Sequence, residues 1–403
     1  MSDFTNEMKS SNYEKEITNA LQRVAEKMPY YQEYRYFEKI VSNHYLSVSR
    51  NAIPKIIVLG SGFPEELIVA AGKMPYWILG GSRESSMWAD DLVPRDTDPV
   101  SRSSLGYIKS GLGKNALILI TLVNDSSRKL AYILKSTGHK VQTFHFPPLK
   151  DADSIMEWNR QYEACRSALA FHLKKPITKR AIQKAEKEIR YAKRRIREFL
   201  EVCEGMIEGT CRMFVLNSYY CADDLSEWSN HLKRLTEKIR RERKYKYRVG
   251  VRSKVLLLGS PVYFPNYKIP FLIEDAGLTI SVQTDYTTLK MQSGIWQERG
   301  EETNYYFNDT SPAYVKNDSF YKQVMRVVSE NAIDGVVYHV LKGQIEYDFE
   351  LERFENLFEM INVPVFRLET DYNYQDVEQL RIRLEAFSEV LNQRRYSKGE
   401  LAV

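Results

Sequence analysis

The chain has 403 residues, 43% of them hydrophobic and 28% charged, with a net charge of +5. That length exceeds one ordinary core and sets two or three domains as the expectation, while the composition fits a globular protein and excludes a disordered or fibrous one. No apolar run reaches 18 residues, and the polar, mixed-charge start Met1–Ser11 does not read as a signal peptide, so a cytoplasmic protein without a spanning helix is expected.

Residues 12–50 read as helix, with Ile17, Leu21, Val24 and Met28 recurring at three- and four-residue spacing. Four short β-rich apolar runs follow: Lys55–Leu59, Tyr76–Leu79, Ala116–Val123 and Lys140–Phe146. Their alternation with helical or loop segments predicts a parallel sheet covered by helices. From Met156 to about Lys246 the pattern is helical throughout, with Pro176 its only proline and few glycines. A second set of runs comes next: Lys254–Leu258, Leu278–Val282, Asp334–Val340 and Val363–Leu368. The fold class is therefore α/β, with an N-terminal helical segment (1–50), a first α/β domain (51–155), a helical segment (156–250) and a second α/β domain (251–403). The two α/β parts share a local pattern. Lys55-IIVLG-Ser61 leads into Pro64-EELIVAAG72, and Lys254-VLLLG-Ser260 leads into Ile269-PFLIEDAG277. Each reads as strand, Gly-Ser turn, helix, and a glycine that ends the helix in the left-handed conformation.

Several features narrow the chemistry. Gly60-Ser-Gly62 is not a phosphate loop, because Glu65 and Glu66 fall in the first turn of the following helix and would repel a phosphate. The basic runs Lys174–Arg197 and Lys233–Arg248 carry interleaved Glu186, Glu188 and Glu242. They read as solvated helix faces, with an acidic partner as the alternative and nucleic acid disfavoured by the weak aromatic interleaving. Cys165, Cys203, Cys211 and Cys221 form no C-x-x-C pair and lie in helical sequence, as buried free thiols do. A cluster on Cys203, Cys211 and Cys221 would need a site of its own. The stretch 292–312, which includes Tyr305 and Tyr306, is long, polar and aromatic enough to form a lid.

Four stretches resemble one family. They are Phe63-PEELIVAAG72 with Pro75; Asp98-PVSRSSLG106 within the run Trp88–Gly106; Asn124-Asp125 after an apolar strand; and Gly335-VVYHVLK342 with Glu369-TDY372 and Gln379-LRIRLEAF387. Together they are similar to the 2-hydroxyacyl-CoA dehydratase and benzoyl-CoA reductase family, from about Lys55 to Leu391. The resemblance implies two flavodoxin-like parallel-sheet domains and a helical segment. It also implies an acyl-CoA substrate, a related partner subunit in a heterodimer, an ATP-dependent activator protein and a [4Fe–4S] cluster held by cysteines.

The cysteines are missing here. The resemblance places Asp98 (or Ser101), Asn124 and Gln344 at the three ligand positions, and these side chains do not hold a cluster that thiolates normally bind. No cofactor or metal is therefore expected on this chain; the cluster is expected on the partner. Candidate residues are Glu66 and His339 for catalysis, and Arg102, Ser103 and Lys342 for substrate contact. Asp90, Asp91, Asp96 and Asp98 could serve a hard cation, or could cap turns and pair with Arg95 or Arg102. The resulting expectation is a cluster-free subunit completing an acyl-CoA pocket. A stand-alone acyl-CoA-binding or interaction protein and a non-redox acid–base enzyme remain as alternatives.

Overall fold

The computed structural model describes residues 2–29, 31–47, 54–72, 75–112, 114–243, 252–285, 311 and 313–397, with side chains from Ser11 onward. The stretch 286–310 and the end of the second basic run, 244–248, lie outside the described residues; so does most of the lid-like segment.

The N-terminal helical sequence is split into α1 (Ser2–Lys27) and α2 (Tyr34–Leu46). Pro29 falls at the break, where a ring without an N–H cannot continue a helix interior. The first sheet then forms from β1 (Ile56–Leu59), β2 (Tyr76–Ile78), β3 (Leu117–Leu122) and β4 (Lys140–His145). Its order is β2-β1-β3-β4, all parallel, with Ile57 against Tyr76 on one side and Ile118 on the other. The crossovers are α3 (Glu65–Ala70), then α4 (Arg83–Trp88) with α5 (Pro99–Tyr107), and α6 (Asp125–Ser136).

The helical middle comprises α7 (Ala152–Leu173), α8 (Lys179–Cys203), α9 (Gly209–Asn217) and α10 (Leu225–Arg243). In α8 the residues Ala185, Ile189, Ala192, Ile196 and Phe199 are buried, which leaves most of the basic run on the outer face. Lys193 is an exception, turned inward to pair with Glu65 at 3.0 Å. All four cysteines are free and buried, and burial pushes the Cys165 and Cys203 thiols up to about 12.

The second sheet repeats the first. β5 (Lys254–Gly259), β6 (Thr279–Gln283), β7 (Gly335–Leu341) and β8 (Val365–Thr370) pair in the order β6-β5-β7-β8, all parallel. Its helices are α11 (Lys268–Asp275), α12 (Asp318–Asn331), α13 (Ile345–Met360) and α14 (Val377–Ser397). Alternation along the strands serves both faces. Val255, Leu257 and Val337 join the large core that also packs the first sheet, while Leu256, Leu258 and Val336 face a separate core with Phe320, Phe354 and Phe358. The molecule is thus an α/β fold with two flavodoxin-like domains. The shared strand–turn–helix pattern is present in both, with left-handed Gly72 and Gly277 after the helices. Among the described residues no helix is long and apolar enough to cross a membrane.

Helices α1, α4 and α5 meet at two close contacts. A Cβ on Gly106 of α5 would stand 1.8 Å from the Ser85 carbonyl oxygen of α4, so Gly106→Ala is expected to lower the unfolding free energy by about 1–3 kcal/mol in urea titrations. Glu16 of α1 accepts hydrogen bonds from the Ser82 hydroxyl (2.5 Å) and the Arg83 backbone N–H (2.8 Å) at the start of α4. Burial raises its carboxyl to about 7. The folded state therefore binds more protons than the unfolded state between about pH 4.5 and 7, and stability falls as pH rises through that window. Glu16→Gln should flatten this fall in denaturation midpoints measured from pH 5 to 8.

Candidate functional site

In a parallel sheet of this order, the crossovers leave the first strand in opposite directions and open a crevice beyond the carboxyl ends of the first and third strands, where such folds bind ligands. Both sheets present that crevice to one shared cavity of about 110 Å³. Gly60, Ser61 and Gly62 after β1 and Thr121 and Asn124 at the end of β3 form one wall. Pro261 and Tyr263 after β5, with Gln344 and Glu346 after β7, form the other. Asp98 and Ser101 at the start of α5 close a third side.

Local chemistry positions each polar side chain. Asp98 caps α5, accepting from the backbone N–H groups of Ser101 (3.0 Å) and Val100 (3.3 Å), with Pro99 in the first turn where its missing N–H is not needed. Asn124 caps α6. Its Oδ1 accepts from the Ser127 N–H at 2.9 Å, and the Ser127 hydroxyl accepts from the Asn124 N–H at 3.1 Å, a reciprocal capping box. The Asn124 amide nitrogen is thereby turned outward and donates to Glu346 Oε1 at 2.8 Å. Gln344, just before α13, donates from Nε2 to Asp98 Oδ1 at 2.9 Å. Two side-chain hydrogen bonds therefore cross from one sheet's crevice to the other's. Gly343 makes the approach possible: its φ is +84°, and a Cβ there would lie 3.1 Å from the Asp98 backbone nitrogen.

The cavity is acidic. Asp98 is 2% exposed, and burial raises its carboxyl above the usual range despite the hydrogen bonds it accepts. Burial likewise raises Glu346 to about 7, with the nearby negative charges of Asp98 and Asp125 adding to the effect. Among the described residues no lysine, arginine or histidine lines it. Three buried oxygens have no hydrogen-bond partner among the described residues: Glu346 Oε2, Gln344 Oε1 and Thr121 Oγ1. Asp98, Ser101 and Leu130 also line a larger outer groove of about 610 Å³. Leu92, Val93, Leu105 and Ile133 give that groove an apolar wall, and Arg128 and Lys129 supply cations.

Of the residues singled out in the sequence, Asp98, Ser101, Asn124 and Gln344 meet at the inner cavity. Glu66 is buried in the first turn of α3, and His339 is buried on β7, its Nδ1 3.1 Å from the Ser260 carbonyl oxygen; neither lines the cavity. Burial lowers His339 to about 4, so its ring is neutral. Ser103 bonds Ser85 between α4 and α5, Arg102 pairs with Asp90, and exposed Lys342 lies 3.8 Å from Asp371. Asp90 also meets Arg95, the pairing expected of turn aspartates, and Asp91 pairs with Lys109. Glu346 and Thr121 were not singled out in the sequence. A glutamate in the first turn after the Gln344 position was the one available signal for the former; nothing marks Thr121 within its strand.

Residues 61–391 match the family described as 2-hydroxyglutaryl-CoA dehydratase, D-component. The chain belongs to this family. It is 23% identical over 358 residues to the Escherichia coli (strain K12) protein named Putative dehydratase subunit YjiM, covering 86% of this chain and 94% of that one. It is 22% identical over 349 residues to the (R)-phenyllactyl-CoA dehydratase beta subunit of Clostridium sporogenes, covering 81% and 89%. The donor set at the cavity does not fit an iron–sulfur cluster. Carboxylate, amide and hydroxyl oxygens are hard, whereas a cluster takes thiolates, and none of the four cysteines lines the cavity.

The crossing hydrogen bonds are open to measurement. A double-mutant cycle with Asp98→Ala and Gln344→Ala, read by urea unfolding, is expected to give a coupling of about 0.5–3 kcal/mol. Additive single effects would mean that the contact does not join the two sheets in solution.

Proposed function

We propose that this chain is a cluster-free subunit of a 2-hydroxyacyl-CoA dehydratase or benzoyl-CoA reductase type complex, paired with a related subunit that carries the iron–sulfur centre. The observation that carries this reading is the hard, thiol-free lining of the inner cavity, at the positions where the family resemblance expects cysteine. Asp98, Asn124 and Gln344 converge there and are engaged in caps and in hydrogen bonds between the two sheets. That a relative is itself a beta subunit supports a role within an assembly. An ATP-dependent activator would serve the partner's cluster rather than this chain.

On this reading the chain's own contribution is binding and enclosure. The outer groove offers an apolar wall for an acyl chain and two cations, Arg128 and Lys129, for phosphates or a carboxylate. Asp98 and Ser101 stand where groove and cavity meet. The buried, hydrogen-bonded seam between the sheets would keep water from that side of the substrate.

The test is iron and acid-labile sulfide per chain on protein expressed alone and purified without oxygen. Iron close to zero is expected. A value near four irons per chain, about that of one [4Fe–4S] cluster, would overturn the reading.

A further inference from the structure

The inner cavity gathers carboxyl groups without a counter-charge. Asp98 and Glu346 bring two carboxylates to a largely buried space, and none of the described lining residues is a cation. Removing charge from water without a counter-charge is strongly unfavourable. The crossing hydrogen bonds from Asn124 and Gln344 relieve part of that penalty but bring only neutral donors.

The same bonds orient what remains. With its Nε2 committed to Asp98, the Gln344 amide leaves Oε1 without a partner, on a side chain that is 6% exposed. With Oε1 committed to Asn124, Glu346 leaves Oε2. Thr121, 5% exposed, adds Oγ1. An anion is excluded by the carboxylates. A soft or borderline metal is disfavoured, because no cysteine or histidine lines the space among the described residues. Among the described residues no three His, Cys, Asp or Glu side chains converge as a metal cage, so any cation here rests on two carboxylates plus neutral oxygens. Magnesium and calcium take such mixed sets of carboxylate, amide and hydroxyl oxygen, completed by water.

We propose that the cavity between the two sheets binds one hard divalent cation, Mg²⁺ or Ca²⁺, through Glu346 Oε2 and Gln344 Oε1, with Thr121 and the Asp98 carboxylate completing the protein side of its shell. This goes beyond the subunit reading and does not depend on it. Iron in the protein would overturn that reading, whereas absence of divalent binding overturns only this one.

The experiment uses the full chain, dialysed against EDTA and titrated with MgCl₂, CaCl₂ and MnCl₂ by calorimetry, with Mn²⁺ followed by electron paramagnetic resonance. One cation per chain is expected, with a dissociation constant of about 10⁻⁵–10⁻³ M. Glu346→Gln should weaken it by about tenfold or more, and the near-isosteric Thr121→Val by a smaller factor. Circular dichroism establishes that each variant is folded. The proposal fails if wild-type protein gives neither heat nor an altered Mn²⁺ signal up to about 10 mM. It fails equally if folded Glu346→Gln and Thr121→Val bind as wild type does, which would place the cation on surface carboxylates. Should Glu346→Gln not fold, Thr121→Val and the wild-type titration decide the matter.

Discussion

The seam between the two parallel sheets is built around one buried carboxylate, Asp98. It caps a helix of the first α/β half, accepts a hydrogen bond from Gln344 of the second, and lies against Gly343, where a Cβ would crowd its backbone nitrogen at 3.1 Å. Charge-assisted bonds of this kind are stronger than neutral ones where water is excluded. The neighbouring bond from Asn124 to Glu346 repeats the arrangement with the polarity of the halves reversed: the first half supplies the amide and the second the carboxylate. These contacts turn two separately folded crevices into one cavity.

The strand order accounts for the position of that cavity. Each sheet places its first and third strands side by side, so each has a single point where successive crossovers part. Setting the two points face to face gathers the loops after β1, β3, β5 and β7 within one small volume. Three helices, α5, α6 and α13, begin there. Their unpaired N–H groups favour polar acceptors: Asp98 and Asn124 accept from the first turns of α5 and α6, and Glu346 places a carboxylate in the first turn of α13. A chain in which such residues cap helices and join domains has its polar groups engaged in structure, where soft thiolates would instead hold a metal cluster.

The eight apolar runs read in the sequence correspond to the eight strands within one or two residues at each end; the buried central strands β1, β3, β5 and β7 need near-continuous apolar sequence, while β4 and β8, at the sheet edges, are only partly buried. The helical middle was equally plain. The initial helix was read as one element where Pro29 makes two. Asp98, Asn124 and Gln344 were singled out through family resemblance and do converge on one cavity, but the residues that complete its chemistry were less visible. Glu346 reads as an ordinary first-turn glutamate and Thr121 as an ordinary strand residue. His339 has the type expected of a catalytic residue, yet it is buried and neutral, and it does not line the cavity.

Local order was readable residue by residue: strand and helix periodicity and the left-handed glycines after the two matching helices depend on near neighbours in the chain. The pairing of Asp98 with Gln344 spans 246 positions and that of Asn124 with Glu346 spans 222. Contacts so distant leave no periodic trace, and which oxygens remain open at the cavity depends on how two sheets pack rather than on any local pattern. The raised carboxyls of the cavity have the same origin, since each is ordinary in sequence and becomes costly to ionise only when folding buries it.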